Sequence, residues 1–148
     1  MRKKYSIKLE NNLKAAFLTI ISAIVLYLIF YFQNGIVGNI ILIIIISPSL
    51  FVHLNYLIED YKKEVIVDRQ SRVFKYQKDD VFLEYKFHEL IEIIKCETLL
   101  NRFPVSTYHY FKITSHDGKE MIVTCLIFRR FPIKDKQIGE GLKIFPFV

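Results

Sequence analysis

The segment VSTYHYFKITSHDGKEMIVTCLIF, residues 105–128, carries the clearest structural signal in the chain. Its first part, residues 105–114, and its last part, residues 120–128, are rich in β-branched and aromatic residues, which are favoured in strands. Between them lies Ser115-His116-Asp117-Gly118, and an Asp-Gly pair between two such runs is typical of a β-hairpin. The segment therefore predicts two antiparallel strands joined by a tight turn.

The residues before this hairpin show the same period of two. In residues 81–87, for example, Val81, Leu83, Tyr85 and Phe87 alternate with Phe82, Glu84 and Lys86. Further short strands are predicted at 64–67, 72–78 and 90–96. Residues 133–142 could form a helical turn or two, although two glycines weaken that prediction. Residues 59–148 are thus predicted to form one small antiparallel β domain.

A long stretch without charge precedes this domain. Residues 15–58, which are 44 positions, contain no Asp, Glu, Lys or Arg, although charged residues make up 24% of the chain. A membrane span needs about 20 apolar residues, and Asn34-Gly35 is a turn signal. We therefore predict a transmembrane helical hairpin, with helices at about 15–32 and 36–58. A cleaved signal peptide and a hairpin buried in a protein core are the alternatives.

Basic residues flank the predicted hairpin on both sides and are absent from its turn. Lys and Arg concentrate on the cytoplasmic side of membrane proteins, so we expect both termini to lie in the cytoplasm, with residues 1–14 as a basic flank. The net charge of +6 is then explained by the orientation of the chain in the membrane and does not indicate nucleic-acid binding. The candidate membrane-flank residues are Arg2, Lys3, Lys4, Lys8 and Lys14 before the hairpin and Lys62 and Lys63 after it.

Pro48 lies inside the second predicted helix, between Ser47 and Ser49. A proline removes one backbone hydrogen bond and tends to kink a helix, while neighbouring serines can bond to the freed carbonyl. Pro48 is therefore predicted to be a helix kink, which serves either as a hinge or only for packing. His53, near the end of this helix, is expected at the level of the headgroups.

A family resemblance rests on the hydrophobic pattern of residues 62–128. A short strand ends in the turn Val67-Asp68-Arg69-Gln70-Ser71-Arg72, and after an aromatic strand the run Phe87-His88-Glu89-Leu90-Ile91-Glu92-Ile93 leads into the next one. This pattern of strands and turns resembles that of bacterial membrane proteins with two N-terminal helices and a pleckstrin-homology-like (PH-like) domain. The resemblance implies a bent β-sandwich closed by a C-terminal helix, and a location in the bacterial inner membrane. The last 20 residues show no amphipathic helix, so the tail forms a short helix or closes the sheet differently.

No set of residues in the sequence predicts catalysis. The four histidines have no paired spacing, and Cys96 and Cys125 lie 29 positions apart on predicted strands, where reduced core thiols are expected. No phosphate loop or nucleotide fingerprint occurs among the five scattered glycines. We therefore expect a non-enzymatic protein without a cofactor, a metal or a nucleic-acid partner.

Two surface features are candidate contacts for a partner protein or a lipid. Phe128-Arg129-Arg130-Phe131 combines aromatic rings with guanidinium groups, which bind phosphate or carboxylate; the alternative is a strand end with solvated arginines. Tyr108 and Tyr110 share one strand face, which is either a binding strip or part of the core.

The function favoured by these observations is that of an interaction scaffold. In this hypothesis a membrane anchor presents the PH-like domain to a protein partner at the inner membrane. The alternatives are an immunity protein against a membrane-acting toxin, an accessory subunit of a transporter or channel, and an anionic-lipid-binding module. The sequence leaves the partner and the oligomeric state open.

Overall fold

The computed structural model of the chain describes residues 2–7, 9–98, 108–133, 135–143 and 147–148. Within them the chain forms one long α-helix, eight strands and a short 3-10 helix at Phe87–Glu89. The helix α1 spans Leu9–Asp60, and the strands are β1 (Arg2–Tyr5), β2 (Glu64–Asp68), β3 (Val73–Lys78), β4 (Val81–Lys86), β5 (Leu90–Thr98), β6 (His109–Ser115), β7 (Glu120–Thr124) and β8 (Gly139–Lys143).

The strands form two four-stranded sheets. Sheet A has the order β1-β2-β3-β4, and all of its neighbours are antiparallel. Sheet B has the order β7-β6-β5-β8, in which β8 runs parallel to β5 and the other pairs are antiparallel. The hairpin predicted from Asp117-Gly118 is present, since β6 and β7 pair from Thr114 with Glu120 to Tyr110 with Thr124.

The main hydrophobic core lies between the two sheets. On β2 and β3 every second side chain is buried, as with Val65, Val67 and Phe74. Sheet B contributes Phe111 and Ile113 of β6 to the same cluster. Burying one such side chain stabilises a fold by about 1.5–3 kcal/mol, so each buried position contributes to holding the two sheets together.

A second, smaller cluster covers the opposite face of sheet B. Val52 and Tyr56 of α1 are fully buried there, packed with Tyr110, Cys125 and Leu126. The last turns of α1 therefore form a third layer on the sandwich.

The predicted two-helix hairpin at residues 15–58 is wrong, because α1 continues from Leu9 to Asp60 without a break. Asn34 and Gly35 lie inside this helix. A glycine in a helix costs only about 1 kcal/mol relative to alanine, and a formed helix extends without a new nucleation step. One Asn-Gly pair is therefore too weak a signal to end a helix that is favoured on both sides.

The predicted location in a membrane is also corrected. Among the described residues, no helix is at once long enough and apolar enough to cross a membrane. This finding overturns the prediction of a multi-pass protein of the bacterial inner membrane with both termini in the cytoplasm. Part of the reason is that the end of the predicted second span packs on sheet B, where Val52 and Tyr56 are 0% exposed. On the face that carries Val52 and Tyr56 the absence of charge reflects contact with protein, whereas Leu54 and Ile58 in the same turns are exposed.

Most of the predicted N-terminal flank residues lie in a strand. β1 pairs with β2 at the edge of sheet A, and Lys4 forms a salt bridge of 2.7 Å with Glu64. Lys8 lies outside the described residues, and so does the side chain of Lys14 in α1. The exposed cations of β1 are Arg2, Lys3 and Lys4.

The C-terminal tail contains a strand instead of the closing helix that the resemblance implies. β8 pairs with β5 from Gly139 opposite Ile94 to Lys143 opposite Thr98. Gly139 and Gly141 disfavour a helix, whereas the edge of β5 offers main-chain hydrogen bonds to an extended segment. The tail therefore completes sheet B as its edge strand.

Candidate functional site

A pocket of about 440 Å³ lies where the β2–β3 turn, the corner between β4 and β5, and the segment before β8 meet. Its lining residues are Ser71, Arg72, Lys86, Phe87, His88, Ile133, Asp135 and Lys136. A neighbouring cavity of about 180 Å³ shares part of this lining and adds Arg69. We call the two together the basic pocket.

The β2–β3 turn forms one wall of the basic pocket. The carboxylate of Asp68 accepts a hydrogen bond of 3.0 Å from the backbone N–H of Gln70, and this bond holds the pKa of Asp68 below its ordinary value. Arg72 has a φ of 56°, in the left-handed region that tight turns use. Its carbonyl accepts a hydrogen bond of 2.8 Å from the N–H of Phe87. The turn is therefore fastened to the β4–β5 corner.

Two side chains hold the segment around Ile133 in place. Arg69 Nη2 donates to the carbonyl of Pro132 at 2.9 Å, and Lys136 Nζ donates to the carbonyl of Leu90 at 2.6 Å. Ile133 itself is buried and belongs to the main core. The pocket therefore has an apolar floor and walls that are tied to the sandwich.

The basic pocket carries an excess of positive charge. Its cations are Arg69, Arg72, Lys86 and Lys136, and among the described residues Asp135 is the one acidic side chain in its lining. Arg72 and Asp135 lie 3.7 Å apart and are both mostly exposed, so their ion pair is weak. Guanidinium groups donate paired hydrogen bonds to phosphate or carboxylate. A concavity with this charge attracts anions.

A second cleft, of about 500 Å³, lies at the end of α1 and has a different charge balance. Lys62 and Lys63 line it together with Asp60, Glu64 and Asp79. Positive and negative charges therefore nearly cancel, and this cleft lacks the net attraction of the basic pocket.

Lys63, one of the predicted membrane-flank residues, lies in a buried ion-pair network. Its ammonium donates to Glu59 at 2.8 Å, to Asp60 at 2.9 Å and to the carbonyl of Ile122 at 2.7 Å. Thr124 Oγ1 donates to the other oxygen of Asp60 at 2.5 Å. Burial raises the pKa of Asp60, although Lys63 and Thr124 act in the opposite direction. The network joins the end of α1 to β7, while the neighbouring Lys62 is exposed.

The predicted contact run at residues 128–131 divides between core and surface. Phe128 and Phe131 are buried, and their ring centroids lie 5.5 and 5.4 Å from that of Phe111. Arg129 and Arg130 are exposed and are not among the residues that line the basic pocket. The rings therefore stabilise the core, and the arginine pair stays a candidate contact.

The predicted aromatic strip of Tyr108 and Tyr110 is covered by α1. Both side chains are buried, and their ring centroids lie 5.6 and 6.4 Å from that of Tyr56. His53 Nδ1 lies 3.0 Å from the hydroxyl oxygen of Tyr108, and burial lowers the pKa of His53. In this fold the strip is the surface on which α1 packs.

The part of the chain that the structure describes contains no cluster of metal-ligating side chains, and its cysteine thiols are buried. No three His, Cys, Asp or Glu side chains gather there. Cys96 and Cys125 are free and buried. Burial raises the pKa of Cys125 to about 11, so its thiol stays protonated at neutral pH and is a poor nucleophile.

Pro48 lies inside α1 and lacks the N–H that would bond to the carbonyl of Ile44. The hydroxyl of Ser47 donates to that carbonyl at 3.4 Å. A neighbouring serine therefore compensates for the missing donor, and the kink itself stays a prediction.

A family model described as a PH domain matches residues 4–136. The chain belongs to the PH domain family. Members of this family are typically binding modules for proteins or lipid headgroups. Comparison with curated proteins and with solved structures yields no significant match.

The sequence alone did not reveal the basic pocket of this PH domain. Its cations come from segments that are far apart in the sequence: Arg72 lies in a turn, Lys86 at the end of β4 and Lys136 before β8. The sequence therefore contains no run of basic residues that would indicate the pocket. The usable signal was that they lie in connecting segments or, for Lys86, directly beside one, since such segments commonly carry binding residues.

Proposed function

We propose that this PH domain binds a phosphate-bearing anion in the basic pocket and catalyses no reaction. The observation that supports the proposal most directly is the convergence of Arg69, Arg72, Lys86 and Lys136 on one concavity. These cations come from three separate segments of the chain, and the fold holds them together.

The cations retain hydrogen-bond donors for a ligand. A guanidinium group has five N–H donors and an ammonium group has three. Arg69 uses Nη2 on the carbonyl of Pro132, and Lys136 donates to the carbonyl of Leu90. Their remaining donors, with those of Arg72 and Lys86, suit a group with several acceptor oxygens and more than one negative charge.

A second candidate function is the binding of an acidic protein surface. Arg129 and Arg130 are exposed at consecutive positions beside the buried Phe128 and Phe131, so they project from a rigid base. This candidate retains the scaffold role favoured by the sequence, with the arginine pair as its contact. None of the described contacts favours an immunity or transport role.

A pair of matched double variants of the full chain tests the pocket. We expect Arg72→Gln with Lys86→Gln to weaken the binding of glycerol phosphate and of vesicles containing phosphatidylglycerol by about tenfold, which corresponds to about 1.4 kcal/mol. Binding should also weaken with added salt because ions screen exposed charges. Comparison of the soluble ligand with the vesicles separates a free phosphate from a lipid headgroup.

The control is Arg129→Gln with Arg130→Gln, which removes the same charge outside the pocket. We expect it to change phosphate binding by less than about threefold, since only screened long-range attraction is lost. Equal losses in both double variants, or a larger loss in the control, would overturn the pocket as the site.

A further inference from the structure

The edge of β5 is occupied by a segment of the chain's own tail. β8 lies parallel to β5, with Ile94 opposite Gly139 and Cys96 opposite Gly141. The PH domain match ends at residue 136, before β8 begins. The sheet edge inside the family domain is therefore covered by a strand from beyond the matched residues.

β8 buries little side-chain surface in this position. Its five residues are exposed or half-exposed, and Leu142 is 62% exposed. Two of the five are glycines, which are poor strand residues, and parallel pairing is slightly less stable per residue than antiparallel pairing. β8 is therefore held mainly by main-chain hydrogen bonds, and segments of this kind open at low free-energy cost.

The contact nevertheless has a defined chemical fit. A Cβ atom added at Gly141 would lie 3.1 Å from Ile94 Cγ2 and 3.2 Å from Cys96 Sγ, whereas one added at Gly139 would meet only ordinary contacts of 3.7 and 3.8 Å. Between the glycines, Glu140 lies opposite Lys95, whose ammonium forms an ion pair with Glu97 of the same strand. The edge thus favours a glycine at the position opposite Cys96.

Two further contacts tie the tail to the domain. Lys143 Nζ lies 5.1 Å from the ring centroid of Tyr110. The side-chain carbonyl of Asn55 accepts from the N–H of Val148 at 2.9 Å, and its amide donates to the carbonyl of Val148 at 3.4 Å. These contacts keep the strand close to β5, and a tethered segment has an effective concentration of up to millimolar order.

We propose that the edge of β5 is a peptide-binding site that β8 occupies in cis, and that its partner is a protein segment in extended conformation with a glycine opposite Cys96. Such a segment adds to the sheet as an edge strand, with main-chain bonds for affinity and the position opposite Cys96 for specificity. The tail acts as a competitor that the partner displaces. This site is separate from the basic pocket, so either proposal can fail alone.

The test uses the full chain and a labelled peptide with the sequence of residues 137–148. In Gly141→Val the side chain collides with Ile94 and Cys96, so β8 should leave the edge and the amides of Glu140–Lys143 should exchange hydrogen faster. We expect the unaltered peptide to bind this variant at least about tenfold more tightly than the unsubstituted chain, because the tethered competitor is gone. Fluorescence anisotropy measures the binding.

Two controls make the outcome specific. Gly139→Val in the protein should leave β8 in place and the peptide affinity as low as in the unsubstituted chain, because the added Cβ meets no close contact. A peptide that carries Gly141→Val should not bind either protein. Absence of peptide binding to a Gly141→Val chain whose β8 amides exchange freely would overturn the proposal. Protection of those amides in Gly141→Val would also overturn the proposal, because it would show that β8 stays on the edge without a glycine at position 141.

Discussion

The two faces of sheet B are buried by different means. The inner face contacts sheet A through a continuous apolar cluster that includes Phe111, Ile113 and Val123. The outer face contacts α1 through aromatic rings together with the ion pairs of Lys63 and the His53 contact of Tyr108. Phe111 and Lys63 are equally buried, at 1% exposed. The difference shows that two side chains can be equally buried for different reasons. Phe111 is stabilised by close apolar packing, and Lys63 is stabilised by pairing with opposite charge.

The largest effect is expected on the inner face. Phe111→Ala removes a ring that packs against Phe128 and Phe131, and the resulting cavity should lower the free energy of unfolding by about 4 kcal/mol. Urea denaturation measures this value. The control is Phe82→Ala, whose ring is 56% exposed and should change stability by less than about 1 kcal/mol. A similar loss in both variants would contradict the assignment of Phe111 to a close-packed interface.

The next effect is expected at the buried ion pair of the outer face. Lys63→Met leaves the fully buried Asp60 without its cation and should lower stability by about 3 kcal/mol. Adding Asp60→Asn should restore part of the loss, because the unpaired charge is removed. On the inner face, by contrast, truncating a second ring would remove further packing contacts and restore none of the lost stability.

The exposed neighbour Lys62 provides the control for this pair. Lys62→Met should change the free energy of unfolding by no more than about 0.5 kcal/mol, again measured in urea. If Asp60→Asn deepened the loss caused by Lys63→Met, the outer face would not depend on charge pairing.

The smallest effect is expected at Tyr56, in the middle of the outer face. Its hydroxyl is buried and has no hydrogen-bond partner among the described residues. Tyr56→Phe should therefore be neutral or raise stability by up to about 1 kcal/mol, since a desolvated polar group is removed. Tyr108→Phe, which loses the contact with His53, should instead lower stability by about 1 kcal/mol. Thermal unfolding of the two variants in parallel compares them, and a clear loss in Tyr56→Phe would reveal a partner for its hydroxyl.

The β domain could be predicted from the sequence because its signals are local. The alternation around Val65 and Phe74 and the turn at Asp117-Gly118 fix side-chain facing and strand ends within a few residues. The observed β2–β7 therefore lie close to the predicted strands, except that β7 ends at Thr124 and not at Phe128. Residues 105–107 of the predicted sixth strand lie outside the described part. The uncharged composition of residues 15–58 likewise predicted helix, although it predicted the wrong number of helices and the wrong surroundings.

Only the tertiary structure decided which surfaces meet. β1 and β8 have no strong pattern of their own, and each forms because a sheet edge offers it main-chain partners. The burial of Lys63 depends on Asp60, Glu59 and the carbonyl of Ile122 coming together, which no local spacing encodes. The basic pocket depends in the same way on Arg72, Lys86 and Lys136 converging from separate segments. The period of a sequence determines which face of an element is apolar, whereas packing determines what that face touches.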